Sequence, residues 1–286
     1  MALNLSILRT RAITAIVFVM VMMGGLLYNQ WSFLLLFSII LVGCFYEYHQ
    51  LMGKINEQYQ ATPFIFKLQS ILSGLWLMLI LAGKSRLYQA IPLWDLAIWI
   101  IILAGILFAI TAIFFRNSLG YPVNFYTTLG ILYITMPSVM MIDLYDKSIQ
   151  YFTGANWVLP MTIIATIWIN DTMAYLVGSL IGKTPLSSIS PKKTKEGTYG
   201  GMVLAVLVVS LGGYFIGGMA IKPLLFISIT ASIAGTLGDL LESKIKRKAG
   251  VKDSGTFMPG HGGFLDRFDS LLIAIPAVWL VLFLFL

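Results

Sequence analysis

GHGGFLDRFDSLLIAIPAVWLVLFLFL, residues 260–286, joins two kinds of sequence. Its first part holds a His, an Arg and two Asp beside three Gly, and from residue 270 onward no charge appears. An apolar run of this length is enough to cross about 30 Å of hydrocarbon as a helix, which takes roughly 17 to 25 residues. Comparable runs fall at 12–28, 31–46, 66–83, 91–115, 125–142, 157–182, 200–218 and 222–240. Of 286 residues, 58% are hydrophobic and 11% charged, so most of the chain cannot face water. The fold class expected is an all-α polytopic membrane protein with about nine transmembrane helices.

Charge sets the expected orientation. A formal net charge of +7 points to the gathering of Lys and Arg in cytoplasmic loops rather than to nucleic acid. With the N-terminus inside, fifteen basic residues fall on inner segments, against Lys84, Arg86, Lys147 and Lys222 outside. The polar loops of the last third then lie on the cytoplasmic side, and the expected location is a cytoplasmic (inner) membrane. The first run follows Arg9 and Arg11 as a signal peptide would, but no small-residue cleavage site closes it, so it reads as retained. Cys44, alone of its kind, excludes an intramolecular disulfide and a cysteine metal cluster. Residues 1–156 carry about five helices and little chemistry; residues 157–286 carry the polar groups.

Three polar groupings stand out there. WINDTMAYLVGSLIGK, residues 168–183, places Asn170 and Asp171 inside an apolar span, where an ionisable group is costly and marks a functional candidate. Either a helix neighbour bonds this pair or a polar cavity reaches it. SPKKTKEGTYGG, residues 190–201, brings Lys192, Lys193 and Lys195 to an inner loop. GDLLESKIKRKAGVKDSGTFMPGHGGFLDRFD, residues 238–269, holds five of the twelve acidic residues, one of the two His and six Lys or Arg.

In that last grouping Asp239 ends one span while Asp266 and Asp269, three apart, open the next. Asp239 and Glu242 sit at the negative end of a helix dipole and call for a cation. Asp266 and Asp269 suit either helix capping or a hard metal. Magnesium takes one or two carboxylates plus substrate phosphate oxygens, and the set leaves room for a second cation. Lys246, Arg247, Lys252, Arg267 and His261 surround these acids and suit a polyphosphate. Gly260, Gly262 and Gly263 would let backbone amides approach such a ligand. A basic loop binding anionic lipid headgroups explains KIKRK but not three acids among the cations.

The residues Ser, Lys-Arg, Lys-Asp, Pro, His-Gly-Gly, Asp-Arg and Asp at the spacing of residues 243–269 resemble the signature of the phosphatidate cytidylyltransferases, or CDP-diglyceride synthases. The resemblance extends through GDLLES and SPKKTKEG to the Asn-Asp and Gly-Lys of residues 170–183, covering roughly 157–286. Met258 departs from the family's usual Ile, Leu or Phe and conserves volume. The resemblance implies a nucleotidyltransferase making CDP-diacylglycerol and pyrophosphate from CTP and phosphatidate, with magnesium required. Carried over by position, its metal-binding acids are Asp239, Asp266 and Asp269. His261 either donates to a phosphate or orders the loop.

Two other readings compete. A transporter or channel for anionic lipid or nucleotide explains Asp171 but not carboxylates and His-Gly-Gly concentrated on one face. A CDP-alcohol phosphotransferase would need a longer Asp-Gly, Ala-Arg motif that is missing. The pairs Gly178/Gly182 and Gly213/Gly217 permit close helix packing, including a homodimer.

Overall fold

A computed structural model describes residues 5–84, 122–152, 154–257 and 262–286. The described residues form helices α1 (Leu5–Leu27), α2 (Gln30–Ile55), α3 (Glu57–Gln60), α4 (Phe64–Lys84), α5 (Pro122–Tyr151), α6 (Val158–Ile181), α7 (Lys195–Phe215), α8 (Ile221–Lys248) and α9 (Leu265–Phe285). Among them, seven are long and apolar enough to cross a membrane, α2 and α4 to α9, and α1 adds a shorter apolar stretch, Ala12–Leu27. The chain is thus a multi-pass membrane protein. The run expected at 91–115 lies outside the described residues; the other eight are all helices.

Several helices run well past their apolar stretches. α2 continues to Ile55 rather than ending near 46, α5 to Tyr151, and α8 to Lys248, while α9 opens at Leu265 rather than 270. Backbone hydrogen bonding does not require apolar side chains, so a helix ends where a cap or turn stops it. Past the end of α8, Gly250 takes a left-handed backbone (φ 71°), which glycine adopts without a Cβ penalty.

The chain divides into two compact units. One comprises Met1–Ile142 with Lys248–Phe268, the other Asp143–Arg247 with Asp269–Leu286. The first is built on α2, whose start is fixed by a capping box: the Asn29 side chain accepts from the Ser32 N–H while the Ser32 hydroxyl accepts from the Asn29 N–H. Phe33, Phe37, Ile40, Leu41, Phe45, Tyr48 and Leu51 are fully buried along it. Tyr48 donates to the Tyr126 carbonyl on α5 at 2.7 Å. His49 is a core residue, joined through its ring nitrogens to the Tyr59 hydroxyl at 2.7 Å and the Ser70 hydroxyl at 2.9 Å.

In the second unit, α6 and α7 form an antiparallel hairpin of very close approach. A Cβ added at Gly197 would lie 2.6 Å from the Ala174 carbonyl oxygen and 2.8 Å from the Gly178 Cα. One at Gly201 would meet the Ala174 nitrogen and the Asn170 carbonyl, both at 2.8 Å. The same logic holds α8 against α9, because a Cβ at Gly238 would lie 2.5 Å from the Asp269 carbonyl oxygen. The glycine pairs singled out in the sequence serve this packing within the chain: Gly178 and Gly182 face Thr194, and Gly213 faces Leu224.

This contact map makes a substitution test. Gly201→Ala forces backbone apart in a packed interface and should cost about 1–3 kcal/mol. Gly212→Ala, on the same helix with nothing within 4 Å of the new methyl, should be neutral or stabilising because Ala is the better helix former. Thermal unfolding of the detergent-solubilised variants checks this; equal melting temperatures would refute the close packing.

Candidate functional site

Within the second unit a cavity of about 510 Å³ is lined by Asn170, Asp171, Gly178, Lys192, Lys193 and Thr236, among others. The lysines reach it because the α6–α7 connection is itself structured. Thr194 caps α7 by accepting from the Gly197 N–H at 3.2 Å, and Glu196 accepts from the Lys183 and Thr184 N–H groups, each at 3.1 Å. Pro185 bridges Thr194, and the Leu186 N–H donates to the Lys193 carbonyl at 2.7 Å. The connection therefore folds back along its own helices and turns Lys193 inward.

Lys193 forms an ion pair with Asp239. Burial works against its charge, but the Asp239 carboxylate, followed by those of Asp171 and Asp269, outweighs burial and raises its pKa above the ordinary lysine value. Three carboxylates from α6, α8 and α9 thus converge electrostatically on one ammonium. Asp269 is 7% exposed, accepts from the Ser270 N–H at 2.6 Å, and feels the charge of Lys246. Lys246 pairs with the fully buried Glu242 one helical turn away. Asn170, 4% exposed, directs its side-chain amide toward the Thr236 hydroxyl at 3.4 Å, and its Oδ1 is buried without a hydrogen-bond partner. Lys192, Lys195 and Arg247 are exposed.

The remaining expected residues belong to the first unit. Asp266 uses one oxygen, Oδ2, to accept from the Ser254 N–H at 3.0 Å and the Gly263 N–H at 2.7 Å. Both donors lie before α9 rather than in its first turn, so Asp266 ties the preceding loop to the start of the helix. Gly262 has a left-handed backbone (φ 86°), and Gly263 leaves room for the Glu47 carboxylate and the Ser254 hydroxyl. Internal packing therefore accounts for both glycines without a ligand. Arg267 and Lys252 are exposed, and Lys252 lines a second cavity of about 1020 Å³ with Ile39, Val42, Lys54, Thr256 and Phe257. His261, Gly260 and Met258 lie outside the described residues.

Among the described residues, no three His, Cys, Asp or Glu close on one point tightly enough to ligate a metal by themselves. The donor chemistry still suits a hard cation: Asp239 and Asp269 carry carboxylate oxygens on the closely packed α8 and α9, and the charges of both act on Lys193. Glu47, buried on α2, is the residue sequence reasoning passed over, because the apolar run it follows was closed at residue 46. Its signal was an acid directly after that run.

Comparison with known proteins finds a match to the cytidylyltransferase family over residues 9–285. The chain is 31% identical to a phosphatidate cytidylyltransferase of Staphylococcus saprophyticus over 284 residues, covering 96% of this chain and 99% of that protein. It is 38% identical to one of Bacillus subtilis over 173 residues, 59% of this chain and 62% of that protein. A relative from Staphylococcus epidermidis is 45% identical over 131 residues, 45% of this chain and 50% of that protein.

The enclosure of Lys193 has a chemical consequence. An amine held as an ion pair reacts slowly with acylating reagents, so at pH 8.5 Lys193 should label at least about tenfold more slowly than its exposed neighbour Lys192. Its raised pKa stabilises the fold below about pH 10.4, the ordinary lysine value, and that contribution is lost only as pH rises through the folded pKa. Mass spectrometry of the labelled peptide decides; equal labelling would mean the ion pair does not persist.

Proposed function

Because the chain belongs to the cytidylyltransferase family, we propose that the polar centre around Lys193, Asp239 and Asp269 is where it transfers a cytidylyl group from CTP to phosphatidate. The products are CDP-diacylglycerol and pyrophosphate, a step of phospholipid synthesis. The observation that carries the placement is the Lys193–Asp239 ion pair, with the charges of Asp171 and Asp269 acting on the same ammonium, beside a cavity that Lys193 and Asp171 line.

The reaction needs no protein nucleophile. A phosphate monoester with a second pKa of about 6 is largely dianionic at pH 7, so a phosphatidate oxygen attacks the α-phosphorus of CTP while the bond to the pyrophosphate oxygen breaks. The difficulty is electrostatic, since two polyanions must be held in line. Lys193 and Lys192 supply cationic contacts at the cavity, and Lys246 adds positive charge near Asp269. Asn170 contributes a buried amide oxygen that accepts a donor from the bound substrate. Asp239 and Asp269 would hold magnesium together with substrate phosphate oxygens, with Asp171 at the rim and Asp266 a candidate for a second cation. Bound there, the cation would neutralise charge developing on the departing pyrophosphate.

The charge asymmetry of the loops supports a cytoplasmic opening for this cavity, where a soluble nucleotide meets a membrane lipid, and with bacterial relatives it supports the inner membrane.

Purified protein given phosphatidate, magnesium and each nucleoside triphosphate in turn should release pyrophosphate and form nucleotide-linked lipid with CTP. Asp239→Asn and Asp269→Asn keep size but weaken a charged ligand, and each should lower kcat on the order of a thousandfold, about 4 kcal/mol. Near wild-type turnover in both variants, recovered folded, would remove the centre from the reaction. Turnover that survives chelation of divalent cations would remove the metal.

A further inference from the structure

We propose that Glu47 is a positioning residue for this reaction, clamping the signature segment on which Asp266 sits. The assignment rests on the cytidylyltransferase reading above. Glu47 is 3% exposed, and three donors from two stretches of the signature converge on it. The Ser254 hydroxyl donates to Oε2 at 2.6 Å, the Phe264 N–H to Oε1 at 2.7 Å and the Leu265 N–H to Oε2 at 2.8 Å. Ser254 is 207 residues away in sequence, so this is a long-range tie, not local capping.

The chemistry is that of a helix cap supplied from elsewhere in the chain. Phe264 and Leu265 stand at the start of α9, where backbone N–H groups lack intrahelical acceptors and the dipole favours negative charge. Glu47 provides both needs at once, and charge-assisted bonds of this kind are the stronger class. The tie passes on to Asp266 through Ser254, whose N–H donates to Asp266 Oδ2 while its hydroxyl accepts from the Asp266 N–H at 3.3 Å. Glu47 thereby fixes where the Asp266 carboxylate stands without touching a substrate.

The surrounding glycines are what such a clamp requires. A Cβ at Gly255 would lie 2.7 Å from the Glu47 Cδ, and one at Gly263 would lie 2.5 Å from the Gly255 nitrogen. Across the helix, a Cβ at Gly43 would strike the Phe264 ring at 2.6 Å. Gly255 and Gly263 are thus packed directly around the carboxylate.

The test is Glu47→Gln, which keeps the shape but replaces one accepting oxygen by a donating amide. Hydrogen exchange in the peptide covering residues 252–266 should quicken at least about tenfold, while peptides from the α6–α7 hairpin stay unchanged. In the same preparation kcat should fall about ten- to a hundredfold, the range seen when a residue orienting a ligand is altered, and the magnesium concentration for half-maximal rate should rise. Unchanged exchange would overturn the clamp. Quickened exchange with wild-type kcat per folded molecule would overturn its part in the reaction and leave a purely structural tie. If the Gln variant cannot be recovered folded, Ser254→Ala removes one of the three donors and should show the same two changes in smaller measure. The exchange arm judges the clamp even if wild-type protein fails to use CTP, so the two claims fail separately.

Discussion

A carboxylate inside an apolar span is tolerated only when a cation or a set of N–H donors meets it, and here that constraint shapes each compact unit. In the second unit the answer is Lys193, brought to Asp239 by a connection folded back between α6 and α7. Everything that places it follows from close approach. Gly178, Gly197 and Gly201 let α6 and α7 touch, Thr194 caps the second helix, and Glu196 gathers the first amides of the connection. Gly238 does the same for α8 and α9, so Asp239, which pairs with Lys193, and Asp269 stand on closely packed helices near that ammonium. Like charges at short range are costly without such a partner, which is why the lysine belongs to the centre as much as the acids do.

In the first unit the answer is backbone. Glu47 is compensated by a hydroxyl and two N–H groups, and Asp266 by two N–H groups from the same segment. Carboxylates satisfied in this way hold loop geometry strongly, and removing one leaves several buried donors without an acceptor at once. Cation pairing and amide capping are two uses of the same residue type in one sequence motif, and only the fold shows which acid has which.

The polytopic fold was legible because hydropathy reports directly on the solvent each segment meets. The acids of the second unit were legible for the same reason: Asp171 and Asp239 interrupt or end apolar runs, where a charge has to have a purpose. Lys193 could be placed in a basic loop but not distinguished from Lys192 and Lys195, since its turn inward depends on the Pro185–Thr194 bridge rather than on composition. Glu47 was hidden by treating the end of an apolar run as the end of a helix. The positive φ of Gly262 and the close passage of Glu47 at Gly263 depend on the fold and could not be read from the sequence. Asp266 holds two loop amides, partners that its place at the helix start does not reveal.

The central claim, that Asp239 and Asp269 form a cation site beside Lys193, is tested most directly by binding rather than turnover. Manganese can replace magnesium as a paramagnetic reporter, and its binding to purified protein with CTP present can be followed by electron paramagnetic resonance. The account predicts saturable binding that weakens at least about tenfold in Asp239→Asn and in Asp269→Asn, no less than the loss of an outer-shell partner costs. Manganese binding of unchanged affinity in both variants would contradict it.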